Sequence, residues 1–194
     1  YSGLGDYDIA LEINLECLFL REKIFGKDHP SYAVGLNNLA MSYSDLAEYD
    51  KALELNIESL TLYEKLLGKE HPDYAMSLGN LAVNYSSLGD YDKALEMELA
   101  CLSLREKIFG KEHPDYATSL NNLATTYSSL GDFNKALEMF LGSLTLYEKL
   151  LGKDHPEYAA SLNNLALIYS SLGDYEKALE LNIQCLALSE KLSG

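Results

Sequence analysis

The chain has 194 residues, of which 47% are apolar and 23% charged, so it can form a hydrophobic core and is not expected to be disordered. Its formal net charge of −15 disfavours nucleic acids and anionic membranes as partners, because phosphate groups are bound by clustered Lys and Arg. No segment approaches the ~20 apolar residues of a membrane span, and the residues after Tyr1 do not resemble a signal peptide. We therefore expect a cytoplasmic protein.

A period of 42 residues organises the chain. The dipeptide His-Pro recurs at this interval, and so do a Lys-Ala-Leu-Glu segment and a Leu-Gly-Asp-aromatic segment, which reads Leu-Ala-Glu-Tyr once. Self-similarity at a fixed period of this size indicates stacked supersecondary units. We predict a single repeat array made of an N-terminal half repeat and repeats 1 to 4, with the boundaries 1–29, 30–71, 72–113, 114–155 and 156–194.

Each repeat contains two predicted helices, and the half repeat contains the end of a first helix (residues 1–5) followed by a second helix, Asp6–Phe25. In repeats 1 to 4 the first helix begins at a proline, whose missing N–H would be unpaired at that position anyway. It ends at a glycine, which tolerates the left-handed conformation. Ala47 replaces this glycine once, at a cost of about 1 kcal/mol. The predicted first helices are Pro30–Leu46, Pro72–Leu88, Pro114–Leu130 and Pro156–Leu172, and the second helices are Tyr49–Leu67, Tyr91–Phe109, Phe133–Leu151 and Tyr175–Leu192.

The histidines and cysteines recur with the repeat, which argues against a unique catalytic or metal site. Each His precedes the proline of a first helix, and stacked helices lie about 8–10 Å apart, too far to share one metal ion, so we expect these histidines to cap or pack. Cys17, Cys101 and Cys185 lie two repeats apart, too far for a disulfide, and are expected to be packing residues. We predict no catalytic residue, no metal and no cofactor, and a protein that is not an enzyme.

The repeat resembles the tetratricopeptide repeat. Repeat 3 matches the family's pattern of large, small and aromatic positions at Leu120, Leu123, Ala124, Tyr127, Gly131, Asp132, Phe133, Ala136, Phe140 and Ser143. The period exceeds the usual length of about 34 residues, and the Gly-Lys-x-His-Pro loop is similar to that of kinesin light chains. The resemblance implies an all-α fold, a right-handed α-solenoid of stacked antiparallel helix pairs, whose concave groove, lined by the first helices, binds peptide segments of partner proteins.

The first helices also supply the candidate groove residues. One asparagine per repeat forms a ladder, and in related arrays matching asparagines contact bound peptide. An Asn amide both donates and accepts, so it can pair with the backbone of an extended peptide; alternatively, these asparagines bond neighbouring helices and fix the stacking. The ladder is Asn38, Asn80, Asn122 and Asn164, and the flanking candidates are Asn37, Asn121, Asn163, Met41, Val83, Thr125, Leu167, Ser87, Ser129 and Ser171.

The charges of the first helices narrow the expected ligand. These helices contain no Lys or Arg, so they lack a basic clamp for a carboxylate. With the net charge of −15, a neutral or basic peptide with apolar anchors fits best. The alternative function is a structural or self-associating array without a specific small ligand. The sequence begins in a half repeat and stops at an uncapped second helix, so we expect a piece of a longer array whose exposed ends could form a homodimer.

Overall fold

The computed structural model describes residues 3–193 of the chain and the side chains of residues 7–191. Within this range it contains nine α-helices and no strand. The predicted all-α fold of successive helix pairs is therefore confirmed. The helices are α1 (Gly3–Phe25), α2 (Pro30–Asp45), α3 (Tyr49–Leu67), α4 (Pro72–Ser87), α5 (Tyr91–Phe109), α6 (Pro114–Ser129), α7 (Phe133–Leu151), α8 (Pro156–Ser171) and α9 (Tyr175–Ser193).

The first helix of each complete repeat begins in the same way. A proline occupies the first turn, and the preceding histidine is the N-cap, in extended backbone conformation. The imidazole Nδ1 accepts a hydrogen bond from the backbone N–H two residues later, over 3.1 Å at Ser31 and 3.2 Å at Asp73, Asp115 and Glu157. This bond satisfies an N–H that the helix itself leaves unpaired. The expectation that the histidines cap these helices is confirmed.

The same helices end at a residue with positive φ. Gly89, Gly131 and Gly173 have φ values of 80°, 80° and 84°, in the left-handed region that glycine adopts without steric cost. Ala47 takes this place after α2, with a φ of 59°. The substitution noted in the sequence therefore holds an alanine in a conformation that is strained for a residue with a Cβ atom.

The chain divides into two compact units, Tyr1–Met97 and Glu98–Gly194, and α5 contributes residues to both. In the N-terminal unit, α2 packs against α1 and α3, and α4 packs against α3 and α2. Alanines without exposed surface (Ala33, Ala52 and Ala75) allow these helices to approach closely, and the side chain of Tyr63 is fully buried in the same unit.

In the C-terminal unit, α7 packs against α6 and α8, and α8 packs against α9. One core cluster is formed by Ala124, Ala136, Phe140, Leu165 and Ile168. A second cluster is formed by Ala117, Tyr147, Tyr158 and Leu162. The apolar side chains of the two clusters thus lie on helix faces that meet neighbouring helices, as the spacing of three and four residues predicts.

The first helices end one residue earlier than predicted, at Asp45, Ser87, Ser129 and Ser171, and α9 ends one residue later, at Ser193. Two further details differ from the sequence predictions. Helix α1 begins at Gly3 instead of Asp6, so Gly5 lies inside a helix and does not separate two helices. Cys17 is exposed, although the repeat pattern predicts a packing residue; Cys101 is buried, Cys185 is half-buried, and none of the three forms a disulfide. The reason is local: no helix among the described residues precedes α1 to cover the side of it that carries Cys17.

Candidate functional site

A cavity of about 500 Å³ lies in the N-terminal unit, between α2 and α4. Polar amides and apolar side chains line it together, mostly from these two helices and once from α3. The lining residues are Val34, Asn37, Asn38, Met41, Ser44, Asp45, Asn56, Met76, Asn80, Val83 and Asn84. A cavity of this size, with apolar walls and a few polar groups, is typical of a binding site for a small group or a peptide side chain.

Five of the predicted groove residues line this cavity: Asn37, Asn38, Met41, Asn80 and Val83. Asn38 and Asn80 are exposed, and so are Met41 and Val83, with 63% and 46% of their surface accessible. Asn37 is buried instead, and its side-chain oxygen accepts a hydrogen bond from the Ser77 hydroxyl over 3.4 Å. The two ladder asparagines of this unit are therefore accessible, whereas Asn37 bonds a neighbouring first helix.

The C-terminal unit carries predicted groove residues on α6 and α8. Asn122 and Asn164 are half-buried, Asn163 is exposed, and so are the side chains of Thr125 and Leu167. Asn164 Nδ2 donates to the half-buried Oδ1 of Asn121 over 3.3 Å, so these two amides bond each other across neighbouring first helices. This bond agrees with the alternative role of the asparagines, in which they join neighbouring helices and fix the stacking.

The predicted hydroxyl residues bond their own helices. The hydroxyls of Ser87, Ser129 and Ser171 each donate to the backbone carbonyl four residues earlier, over 3.0 to 3.1 Å. Thr125 does the same to the carbonyl of Asn121 over 3.1 Å. All four side chains are exposed, and none of them lines the cavity of the N-terminal unit.

Neither the asparagine ladder nor its flanking candidates include Ser44, Asn56 and Asn84, which also line the cavity. Asn56 lies on α3, a second helix, while Ser44 and Asn84 lie on first helices at positions that face the interior. Asn56 and Asn84 are each only 3% exposed. One signal in the sequence distinguishes these two asparagines. Repeat 3 has Phe140 at the position of Asn56, and repeat 4 has Ile168 at the position of Asn84.

The hydrogen bonds of the buried amides are incomplete. Asn84 Oδ1 accepts from the Ser44 hydroxyl over 3.0 Å, but Asn84 Nδ2 has no partner in the described part of the chain. Asn37 Nδ2 and Asn56 Oδ1 likewise have none. Most polar atoms in protein interiors are hydrogen-bonded, because each unpaired one lowers the stability of the fold by about 1–3 kcal/mol.

The electrostatic character of the cavity is weakly acidic. Asp45 is the charged residue among those that line it, and α2 and α4 contain no Lys or Arg. The cavity therefore offers amide donors and acceptors together with one carboxylate, and no basic group for an anion.

None of the helices in the described part of the chain is long and apolar enough to cross a membrane. No group of three or more His, Cys, Asp or Glu side chains in residues 7–191 is arranged to hold a metal ion.

Solved structures share this fold. A Podospora anserina protein with nearly identical TPR-like repeats, described as a kinesin light chain, is 27% identical, with a TM-score of 0.76 over 100% of this chain and 91% of that one. BtubC from P. vanneervenii (also named BKLC) has a TM-score of 0.79 over 100% of this chain and 77% of that one, at 23% identity. A Rap protein complexed with Competence and Sporulation Factor has a TM-score of 0.84 over 97% of this chain and 50% of that one, at 17% identity.

At the identity of the last two structures, the likeness concerns the fold alone. Among curated protein sequences, none matches the chain. The family model described as tetratricopeptide repeat matches residues 1–65, 34–107, 99–149 and 129–191, which together extend over nearly the whole sequence. With the capped helix pairs and the kinesin light chain-like neighbour, this match leads to one conclusion: the chain belongs to the tetratricopeptide repeat family.

Proposed function

We propose that this protein is a protein-interaction scaffold, without catalytic activity of its own, and that the cavity between α2 and α4 binds an extended peptide of a partner. The observation that carries the proposal is the accessible pair Asn38 and Asn80 beside apolar walls in a cavity of about 500 Å³. The cytoplasmic location expected from the sequence belongs to the same proposal.

The two exposed amides suit the backbone of a peptide. Each can donate to a peptide C=O and accept from a peptide N–H, so the pair can hold an extended chain regardless of its sequence. Met41, Met76 and Val83 are exposed beside them and supply surfaces for apolar side chains. Methionine adapts to partners of different shape, because its side chain is unbranched and flexible.

Charge narrows the class of peptide. Asp45 lines the cavity, and no Lys or Arg lies on α2 or α4 to balance it. An acidic peptide would be repelled by this carboxylate and by the net charge of −15. We therefore expect a neutral or basic peptide with apolar anchors, held mainly by short-range contacts and attracted by the overall field.

One structural neighbour supports binding by this fold. The Rap protein was crystallised in complex with Competence and Sporulation Factor, and its fold matches this chain with a TM-score of 0.84. That complex is a property of the Rap protein. For the present chain it is an argument that stacked helix pairs of this kind can hold a bound factor.

Selection from a random peptide library on the immobilised protein tests the proposal. We expect selected peptides to be neutral or basic and to lose at least five-fold in affinity for an Asn38→Ala, Asn80→Ala double variant. A matched control is Asn134→Ala, which removes an exposed asparagine from α7. Unchanged affinity in the double variant, or a loss of the same size in the control, would exclude the cavity as the peptide site.

A second candidate function is self-association. Helix α1 exposes Ile9, Ile13, Phe19 and Ile24, and α9 exposes Leu179, Ile183 and Leu186. Rows of exposed apolar side chains are typical of contact surfaces, and a second copy of the chain is the proposed occupant. Light scattering over a hundred-fold range of concentration tests this candidate: a mass that stays at one chain throughout would exclude it.

A further inference from the structure

Three buried asparagines that line the cavity have polar atoms without a hydrogen-bond partner in the described part of the chain. Asn37, Asn56 and Asn84 are 6%, 3% and 3% exposed, and all three line the cavity. The unpaired atoms are Asn37 Nδ2, Asn84 Nδ2 and Asn56 Oδ1, which amounts to two donors and one acceptor. Ser77 and Ser44 already occupy the oxygens of Asn37 and Asn84.

The C-terminal unit shows that this fold does not need amides at these positions. Two repeats later, at an interval of 84 residues, Asn56 corresponds to Phe140 and Asn84 to Ile168. Phe140 and Ile168 are 3% and 2% exposed and belong to one core cluster. The sequence can therefore fill the same interior with apolar side chains.

The buried neighbours of the two pairs match. The other members of the C-terminal cluster are Ala124, Ala136 and Leu165. Their counterparts 84 residues earlier are Ala40, Ala52 and Leu81, which have the same side chains and are 1%, 0% and 5% exposed. The N-terminal unit thus keeps the core and replaces its two central apolar groups with amides, although buried unpaired amides destabilise a fold.

We propose that these three amides form a pocket for a primary carboxamide, the side chain of a Gln or Asn in the bound peptide. A carboxamide oxygen has two lone pairs, which accept from Asn37 Nδ2 and Asn84 Nδ2, and its NH₂ group donates to Asn56 Oδ1. All three residues line the cavity while these atoms are buried, so binding requires the amides to turn toward the entering group. The inference rests on the proposed function, since it names a residue type within the peptide.

Charged and apolar side chains satisfy this set less well. A hydroxyl also donates once and accepts twice, but from a single oxygen, whereas a carboxamide divides the three bonds between two atoms. A carboxylate accepts but cannot donate to Asn56 Oδ1, and Asp45 repels it. An ammonium or guanidinium group donates but cannot accept from Asn37 and Asn84. An apolar group pairs with none of the three. A carboxamide also suits either orientation of the asparagine amides, because it both donates and accepts.

Nuclear magnetic resonance with small probes tests the pocket without a peptide. Butyramide, butyrate and n-butylamine have the same chain length and differ in the terminal group. We expect butyramide to cause saturable shifts of the side-chain NH₂ signals of Asn37, Asn56 and Asn84, with a Kd on the order of 10 mM, as its small size implies. The butyrate and butylammonium ions should bind at least ten-fold more weakly.

The matched variant is the double substitution Asn56→Phe, Asn84→Ile, which copies the pair Phe140 and Ile168. In this variant, we expect the Asn37 signal to lose its response to butyramide. Equal responses of the wild type to all three probes, or no saturable response to butyramide, would overturn the carboxamide pocket without reference to any variant.

Failure of the pocket and failure of the scaffold give different results. If butyramide does not bind but selected peptides depend on Asn38 and Asn80, the pocket is overturned and the proposed function stands. If butyramide binds and no peptide is selected, the proposed function fails, and with it the assignment of the carboxamide to a peptide.

Discussion

Asn164 donates a side-chain hydrogen bond to Asn121 across neighbouring first helices, with 3.3 Å between Nδ2 and Oδ1. The same class of residue has another environment in the N-terminal unit, where Asn38 and Asn80 are exposed at a cavity. Asparagines of a single repeat pattern therefore divide into a stacking pair and an accessible pair. Each environment predicts its own response to substitution.

For the stacking pair, we predict that Asn121→Ala lowers the free energy of unfolding by about 1 kcal/mol, the usual net contribution of one hydrogen bond. Urea unfolding followed by circular dichroism measures it. Asn163→Ala is the control, because Asn163 is exposed on the same helix as Asn164 and should change stability by less than about 0.5 kcal/mol. Equal effects of the two substitutions would contradict the stacking role.

For the buried amides, we predict that Asn56→Phe combined with Asn84→Ile raises the free energy of unfolding by about 2–4 kcal/mol. The substitution removes two unpaired polar atoms and extends an apolar core that already exists in the C-terminal unit. Thermal and urea unfolding measure the change.

The reverse exchange in the C-terminal unit is the matched control. Phe140→Asn combined with Ile168→Asn should lower the free energy of unfolding by more than about 3 kcal/mol, because it buries amides in an apolar cluster. If the first double variant is less stable than the wild type, the amides of the N-terminal unit are paired in solution, and the predicted free donors and acceptor do not exist.

Ala47 offers a test of backbone strain. Its φ of 59° lies in the region that Gly89, Gly131 and Gly173 adopt at the same place in the other repeats. We predict that Ala47→Gly raises the free energy of unfolding by about 1 kcal/mol, since glycine has no Cβ to clash with the following carbonyl. Gly131→Ala should lower it by a similar amount. A destabilising Ala47→Gly would show that the strain is relieved by contacts of the Ala47 methyl group.

Glu98 predicts a dependence of stability on pH. Burial raises its pKa from 4.5 to about 7, and the nearby Thr126 hydroxyl opposes this rise. Because the folded state holds the proton more tightly than the unfolded state, the stabilisation is complete below about pH 4.5 and is lost as the pH rises through about 7. The loss amounts to roughly 3 kcal/mol.

Urea unfolding of the wild type and Glu98→Gln at pH 4.5 and pH 8 measures this effect. The stability of Glu98→Gln relative to the wild type should rise by roughly 3 kcal/mol between these values, because a neutral amide does not ionise. Glu96→Gln, at an exposed position of the same helix, should show no such rise. A constant difference between Glu98→Gln and the wild type would mean that the Glu98 carboxyl has an ordinary pKa.

The sequence predicts most of the fold, because the signals at helix ends are local. Each His-Pro pair marks a helix start, and each glycine of the Leu-Gly-Asp segment marks an end, since caps and left-handed residues act over a few residues. The start of α1 was predicted incorrectly at Asp6, because the sequence alone does not distinguish Gly5, which lies inside a helix, from the glycines that end helices.

The candidate site could be predicted only in part. Asn38 and Asn80 follow from the helical period, which places them on the accessible face of the first helices. Asn56 and Asn84 could not be assigned to the site, because their role depends on which faces of α3 and α4 meet below the cavity. Whether two buried amides pair with each other or stay unpaired is decided by tertiary packing and is not encoded in the spacing of residues along one helix.

The central claim is that a peptide binds between α2 and α4. The most direct measurement is the map of backbone amide shifts in the labelled protein when a library-selected peptide is added. We predict that the largest shifts fall on α2 and α4 around Asn38 and Asn80, and that the pattern disappears in the Asn38→Ala, Asn80→Ala variant. Largest shifts on the outer face of α3, around the exposed Glu54 and Glu58, would contradict the claim.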